Sequence, residues 1–161
     1  MTAYKFLQQG RVAPFGGITW PLPGEWLEVE SIEPCRSGIH ACRAVDLPYW
    51  LGLGDLWEVE LGGVEVDDRK LVARRGRLVR QVEGWNEETQ RAFVAACAER
   101  AEPRGAQAPE IAQAAAAVPG MTPQAAGFIS ARVAEVAGGA SAYDAERRAQ
   151  ADWLIEALDL G

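Results

Sequence analysis

The chain has 161 residues, 48% of them hydrophobic, and a formal net charge of −7. This length fits one domain, or one domain with a helical extension, and the hydrophobic share excludes global disorder. The acidic balance argues against nucleic acid or an anionic membrane as partner, and no apolar run reaches the roughly 18–20 residues that span a bilayer.

The opening Met1-Thr-Ala-Tyr-Lys-Phe-Leu lacks the basic-then-apolar layout of a signal peptide. A cytoplasmic protein is therefore expected, with Cys35, Cys42 and Cys97 as free thiols. Ala3–Leu7 alternates as an opening strand, with Lys5 expected to face solvent. Trp26–Val29 is a second strand, and Ile39–Cys42 a third after a Ser37-Gly38 turn. Ala44–Leu51 has room for two helical turns. Leu56–Leu61 alternates most clearly, with Leu56, Glu58 and Glu60 on one side and Trp57, Val59 and Leu61 on the other. Lys70–Val82 reads as a long strand, or as a hairpin broken at Arg75-Gly76.

Composition turns alanine-rich near residue 85, and the pattern becomes helical. Asn86 caps a helix from about Glu87 to Glu99, whose Glu87 and Glu88 suit its N-terminal dipole. Ala101–Pro109, holding Pro103 and Gly105, reads as a linker. A short helix follows over Glu110–Val118, and Thr122-Pro123 starts another. Ser141-Ala-Tyr-Asp144 resembles a capping box that opens the final helix, where Trp153, Leu154, Ala157 and Leu158 share a face that must dock on something. The expected fold is α+β: a small, mainly antiparallel sheet over residues 1–84, then a helical part over 85–161 that docks on this domain or on another subunit.

Chemistry is densest around Cys35-Arg-Ser-Gly-Ile-His-Ala-Cys42, which holds the only histidine. His40 is the one side chain whose ordinary pKa lies near neutrality, so it is the candidate general acid or base, with Asp46, Glu58 or Glu60 to orient it. A histidine bonded within the sheet is the plainer alternative. Zinc is not expected, because the close cysteine pair of a structural site is absent, and no motif implies a cofactor. Residues two apart on one strand face lie roughly 7 Å apart, too far for a direct Cys42–His40 bond, and a buried structural Cys42 is expected. The arginine-rich run Arg69–Arg80 is either a solvated edge strand or an anion site, with Arg74, Arg75 or Arg77 gripping a phosphate, sulfate or carboxylate. Trp20, Trp50 and Trp57 belong to the core or wall an aromatic pocket.

Tyr4-Lys5, Cys35-Arg-Ser-Gly-Ile-His-Ala-Cys42 and Glu58-Val-Glu-Leu-Gly-Gly63 together resemble an uncharacterised domain of tailed-phage and actinobacterial genomes, over roughly residues 3–82. The resemblance implies a shared fold and points to His40 without supplying an activity. Gly38-Ile-His-Ala-Cys42 through Trp57-Glu-Val-Glu-Leu-Gly62 is also similar to the middle of an ADP-ribosyltransferase fold, with His40 in the place of the family's tyrosine; that would imply NAD binding. Two functional readings follow. One is an enzyme on a small anionic metabolite, eliminating phosphate or sulfate by acid–base chemistry at His40 in natural-product tailoring. The other is a non-catalytic binding or interaction module whose C-terminal helices meet a partner chain or a second copy.

Overall fold

A computed structural model describes residues 1–32 and 37–161 of the chain. Cys35 of the candidate thiol pair lies outside the described residues. The fold is α+β, and the chain divides into two compact units. The β-rich unit comprises Met1–Leu47 and Gly52–Trp85, and the helical unit comprises Pro48–Leu51 and Asn86–Gly161. No helix among the described residues is long and apolar enough to cross a membrane.

The β-rich unit is one antiparallel sheet of β1 (Thr2–Leu7), β2 (Leu27–Glu28), β3 (Ile39–Ala41), β4 (Asp55–Asp67) and β5 (Lys70–Gln81). β4 pairs with β1 on one side and β5 on the other, and β5 also receives β2 and β3 along its length. Tyr4 and Cys42 exchange backbone hydrogen bonds of 2.8 and 2.9 Å, so the chain just after β3 returns to β1. The strands thereby close around a core of Ala3, Leu7, Trp20, Ile39, Ala41, Val59, Leu61, Leu71, Ala73 and Leu78. The opposite face of β1 is covered as well, with Tyr4 and Phe6 buried and Phe6 edge-on to Trp85 at 5.8 Å.

Two strand expectations change. β2 is two residues long, extended by single bonds from Gly24 and Val29 to carbonyls of β5. β4 does not stop at Leu61 but runs to Asp67 through Gly62 and Gly63. Those glycines serve close approach there: a Cβ on Gly62 would lie 2.6 Å from Arg75 Nε. Of the two alternatives for Lys70–Val82, the structure has the long strand: β5 is unbroken at Gly76, where a Cβ would meet Trp20, Ile39 and Leu61 at 3.1–3.2 Å. The missing side chain makes room for the Trp20 ring, not for a turn.

The short α1 (Leu47–Trp50) follows a single 3-10 turn at Ala44–Asp46. The helical unit then contains α2 (Glu87–Gln107), α3 (Pro109–Ala117), α4 (Pro123–Gly138) and α5 (Ala140–Leu158). Asn86 Oδ1 accepts from the amides of Glu88 and Thr89 at 3.0 and 3.1 Å, the N-cap read from sequence. The expected linker at Ala101–Pro109 is instead the last third of α2. Proline inside a helix costs about 3 kcal/mol or more, and tertiary contacts on both sides of Pro103 offset it. Arg100 and Arg104 hold one carboxylate of α5, Ala101 and Gly105 are buried, and a Cβ on Gly105 would lie 2.6 Å from that of Ala115 on α3. The final helix starts at Ala140 after Gly139 (φ 79°), which places the expected capping box inside it. Its apolar face is taken up within the unit: Trp153 packs edge-on to Phe93 of α2 at 5.5 Å, and Leu154 and Leu158 are buried, while Ala157 is exposed. Small buried residues on α4 (Ala126, Gly127, Ser130, Ala131, Ala134) let α2 and α5 approach it closely.

Candidate functional site

Of the residues read as a catalytic set, Glu60 lies far from His40 along the sheet. His40 pairs with Val72 of β5 and is half-buried, with Nε2 inside. Asp46 is buried and is held by the Arg43 guanidinium. Glu60 stands opposite Arg77 and accepts from its Nε and Nη2 at 2.7 and 2.5 Å. From Val72 to Arg77 is roughly 16 Å along the strand. Glu60 therefore cannot orient His40.

The arginine-rich strand is likewise partnered. Arg74 Nη1 donates to the Glu30 carbonyl at 3.3 Å, and Arg75 and Arg77 both stack on Trp26, 4.7 and 4.9 Å from its ring centroid. Arg80 pairs with Glu58 at 2.7 Å. Cross-strand ion pairs and cation–π contacts of this kind hold an exposed sheet face together. Among the described residues, Arg74, Arg77 and Arg80 are thereby engaged by hydrogen bonds or ion pairs, and Arg75 by the Trp26 ring. Trp20 is a core residue, Trp57 packs against that core, and Trp50 is exposed on the α1 segment assigned to the helical unit.

Lys5 departs most from its expected place. It follows Ala3 and precedes Leu7 on the inward face of β1, donating from Nζ to the His40 carbonyl at 2.6 Å with the Trp20 ring 6.0 Å away. Burial lowers its pKa to about 8. Burial, then the nearby Asp46 charge, pushes the Cys42 thiol up to about 12, so it is neutral at pH 7 and donates to the Tyr4 carbonyl at 3.6 Å. Burial also raises Cys97, to about 11. Neither thiol is an activated nucleophile. Among the described residues, no group of three His, Cys, Asp or Glu side chains stands where it could hold a metal ion.

The helical unit holds what the sequence reading did not find. Glu146 on α5 is fully buried and accepts from Arg100 Nε at 3.1 and 3.2 Å, Arg104 Nη1 at 2.7 Å, Gln150 Nε2 at 3.0 Å and Ser130 Oγ at 3.4 Å. Beside it, Arg147 is only 5% exposed. Its Nη1 donates to the Pro48 carbonyl at 3.0 Å and Gln150 Oε1 at 3.1 Å, and its Nε donates to the Tyr143 hydroxyl at 3.3 Å. Its guanidinium carbon sits 4.7 Å from the Tyr49 ring centroid and 5.5 Å from that of Tyr143.

Two guanidinium groups of α2 thus share one buried carboxylate. Arg147, the most buried, has only neutral acceptors among the described residues, and its Nη2 makes no hydrogen bond to them. It lines a cavity of about 320 Å³ with Pro48, Tyr49, Gln124, Ala125 and Phe128. One signal in the sequence could have led here. Glu146, Gln150, Leu154 and Leu158 recur every four residues, so polar groups continue the apolar row that docks α5. No protein family, curated protein or solved structure matches the chain, so the two resemblances noted above rest on sequence alone.

Proposed function

We propose that this protein is a non-catalytic binding protein for a small anionic metabolite, held at Arg147 in the helical unit. The observation that carries the reading is a buried guanidinium with no carboxylate partner among the described residues, set in the wall of a cavity. Taking a cation out of water costs several kcal/mol after relaxation, and neutral hydrogen bonds return only part of it. A ligand anion on the open Nη2 edge would supply the missing counter-charge through the fork geometry that suits carboxylates and phosphates. Among the described lining residues there is no histidine, cysteine or carboxylate, which supports binding rather than catalysis. Acid–base chemistry at His40 finds no such support, since Asp46 and Glu60 are each engaged with an arginine.

The test is a nitrogen-15 NMR titration of the whole protein with acetate, benzoate and inorganic phosphate, each against chloride at equal ionic strength. The expected result is saturable movement of the Arg147 side-chain signal and the Gln124 and Ala125 amides with at least one probe. Arg147→Lys should weaken that probe about tenfold, because the charge stays and the fork is lost. No movement at Arg147 with any probe, or unchanged affinity in a folded Arg147→Lys variant, overturns the reading.

A further inference from the structure

Resting on that reading, we infer that the Arg147 cavity takes an aromatic monocarboxylate, its ring against Tyr49 and Phe128 and its carboxylate on the Arg147 Nη2 edge. The walls argue for the ring. Phe128 is 51% exposed although it is a large aromatic on a well-packed helix, and it lines the cavity with Tyr49 and Pro48. Tyr49 is already stacked against the guanidinium, so one aromatic wall is fixed in place before anything binds. A flat ring meets such walls in offset or edge-on contact, which a branched aliphatic chain cannot reproduce. A volume of about 320 Å³ lies at the small end of ligand sites and suits an acid of one or two rings.

The charges argue for a single negative charge. Among the described residues Arg147 is the only cation in the lining, and Arg100 and Arg104 are committed to Glu146. A phosphate dianion would bring a second charge with no second cation among the described lining residues to meet it. A carboxylate needs less. Its second oxygen has a donor available at the start of α4, where Pro123 has no N–H and the Ala125 amide is already bound to Thr122 Oγ1 at 3.3 Å, leaving the Gln124 amide among the lining residues.

The experiment compares benzoate, cyclohexanecarboxylate, acetate and inorganic phosphate on the whole protein by the same titration, in wild type and in Phe128→Ala. Benzoate should bind about tenfold more tightly than acetate, with cyclohexanecarboxylate between them, and should shift the resonances beside Tyr49 and Phe128 by its ring current. Phe128→Ala should bring the benzoate-to-acetate ratio close to one. If benzoate is no tighter than acetate, if phosphate is tightest, or if Phe128→Ala leaves the ratio intact, the aromatic class is wrong while anion binding at Arg147 stands. If none of the four probes moves Arg147, the binding reading falls with it.

Discussion

Replacing Glu146 by glutamine tests the electrostatic design of the helical unit directly. The substitution keeps the volume and removes the one buried negative charge that meets Arg100 and Arg104. It also places an amide NH2 where only donors point: two guanidinium groups, the Ser130 hydroxyl and the Gln150 amide. Breaking a buried pair by neutralising one partner typically costs 3–5 kcal/mol. Arg100 and Arg104 are each 27% exposed, so they can turn partly to water, which brings the expected loss to about 3 kcal/mol. At about 2–4 °C per kcal/mol for a chain of this size, the melting temperature should fall by about 6–12 °C. Because the chain forms two compact units, the readout is urea unfolding followed by helical circular dichroism, which reports mainly on the unit being perturbed.

Arg147→Met is the paired control. It strands no carboxylate and removes only neutral hydrogen bonds, so it should cost about 1–2 kcal/mol, clearly less than Glu146→Gln. If Glu146→Gln costs under about 1 kcal/mol, or Arg147→Met costs more than it does, then Arg147 is a structural cation like the other two. The distinction on which the site rests would be gone.

Lys5→Met should change how stability varies with pH. The folded lysine titrates near 8 and the unfolded one near 10.5, so between these values the unfolded chain holds the extra proton. Wild-type stability relative to the variant should therefore rise from pH 8 to 10.5, by on the order of 2–3 kcal/mol, with the charged lysine most costly below pH 8; parallel urea-unfolding profiles would refute this. Gly76→Ala should destabilise the β-rich unit by about 1–3 kcal/mol, because its Cβ would press on Trp20, Ile39 and Leu61, and tryptophan fluorescence during unfolding should show it. Asn86→Ala should lose about 1 kcal/mol through the two uncapped amides of α2, with Asn86→Ser losing much less in the same helical assay.

The sequence displayed the parts of the fold that local chemistry decides. Alternation placed β1, the first half of β4 and the whole of β5, and caps at Asn86 and Thr122 placed the starts of α2 and α4. The misplaced boundaries share one cause, since proline and glycine report local preference while tertiary contacts decide the outcome. Pro103 stays helical because Arg100 and Arg104 anchor the turns around it. Gly62 and Gly76 stay in strands because Arg75 and Trp20 occupy the space their side chains would take. Lys5 was misread because its neighbours Tyr4 and Phe6 are buried on the other face, and alternation alone then sends it to water. Lys5 shares the face that strand closure covers with Ala3 and Leu7, while Tyr4 and Phe6 are buried on the other, so beyond Thr2 neither face of β1 is left to water.

The same difference separates the two groups of arginines. A run of cations along a strand is conspicuous in sequence, but strand pairing puts glutamates directly opposite: Glu58 against Arg80 and Glu60 against Arg77, with Trp26 beneath two of the guanidinium groups. Their field is largely cancelled within a few ångströms, so the density of charge marks a paired surface. Arg147 is inconspicuous in sequence, one of two successive arginines on an amphipathic helix. Only the packing of α5 reveals that its guanidinium is buried among neutral hydrogen-bond acceptors. Binding free energy is available where a protein already bears an electrostatic cost that a ligand can relieve. By that criterion the proposed site belongs with the buried guanidinium of the helical unit, not with the arginine-rich strand.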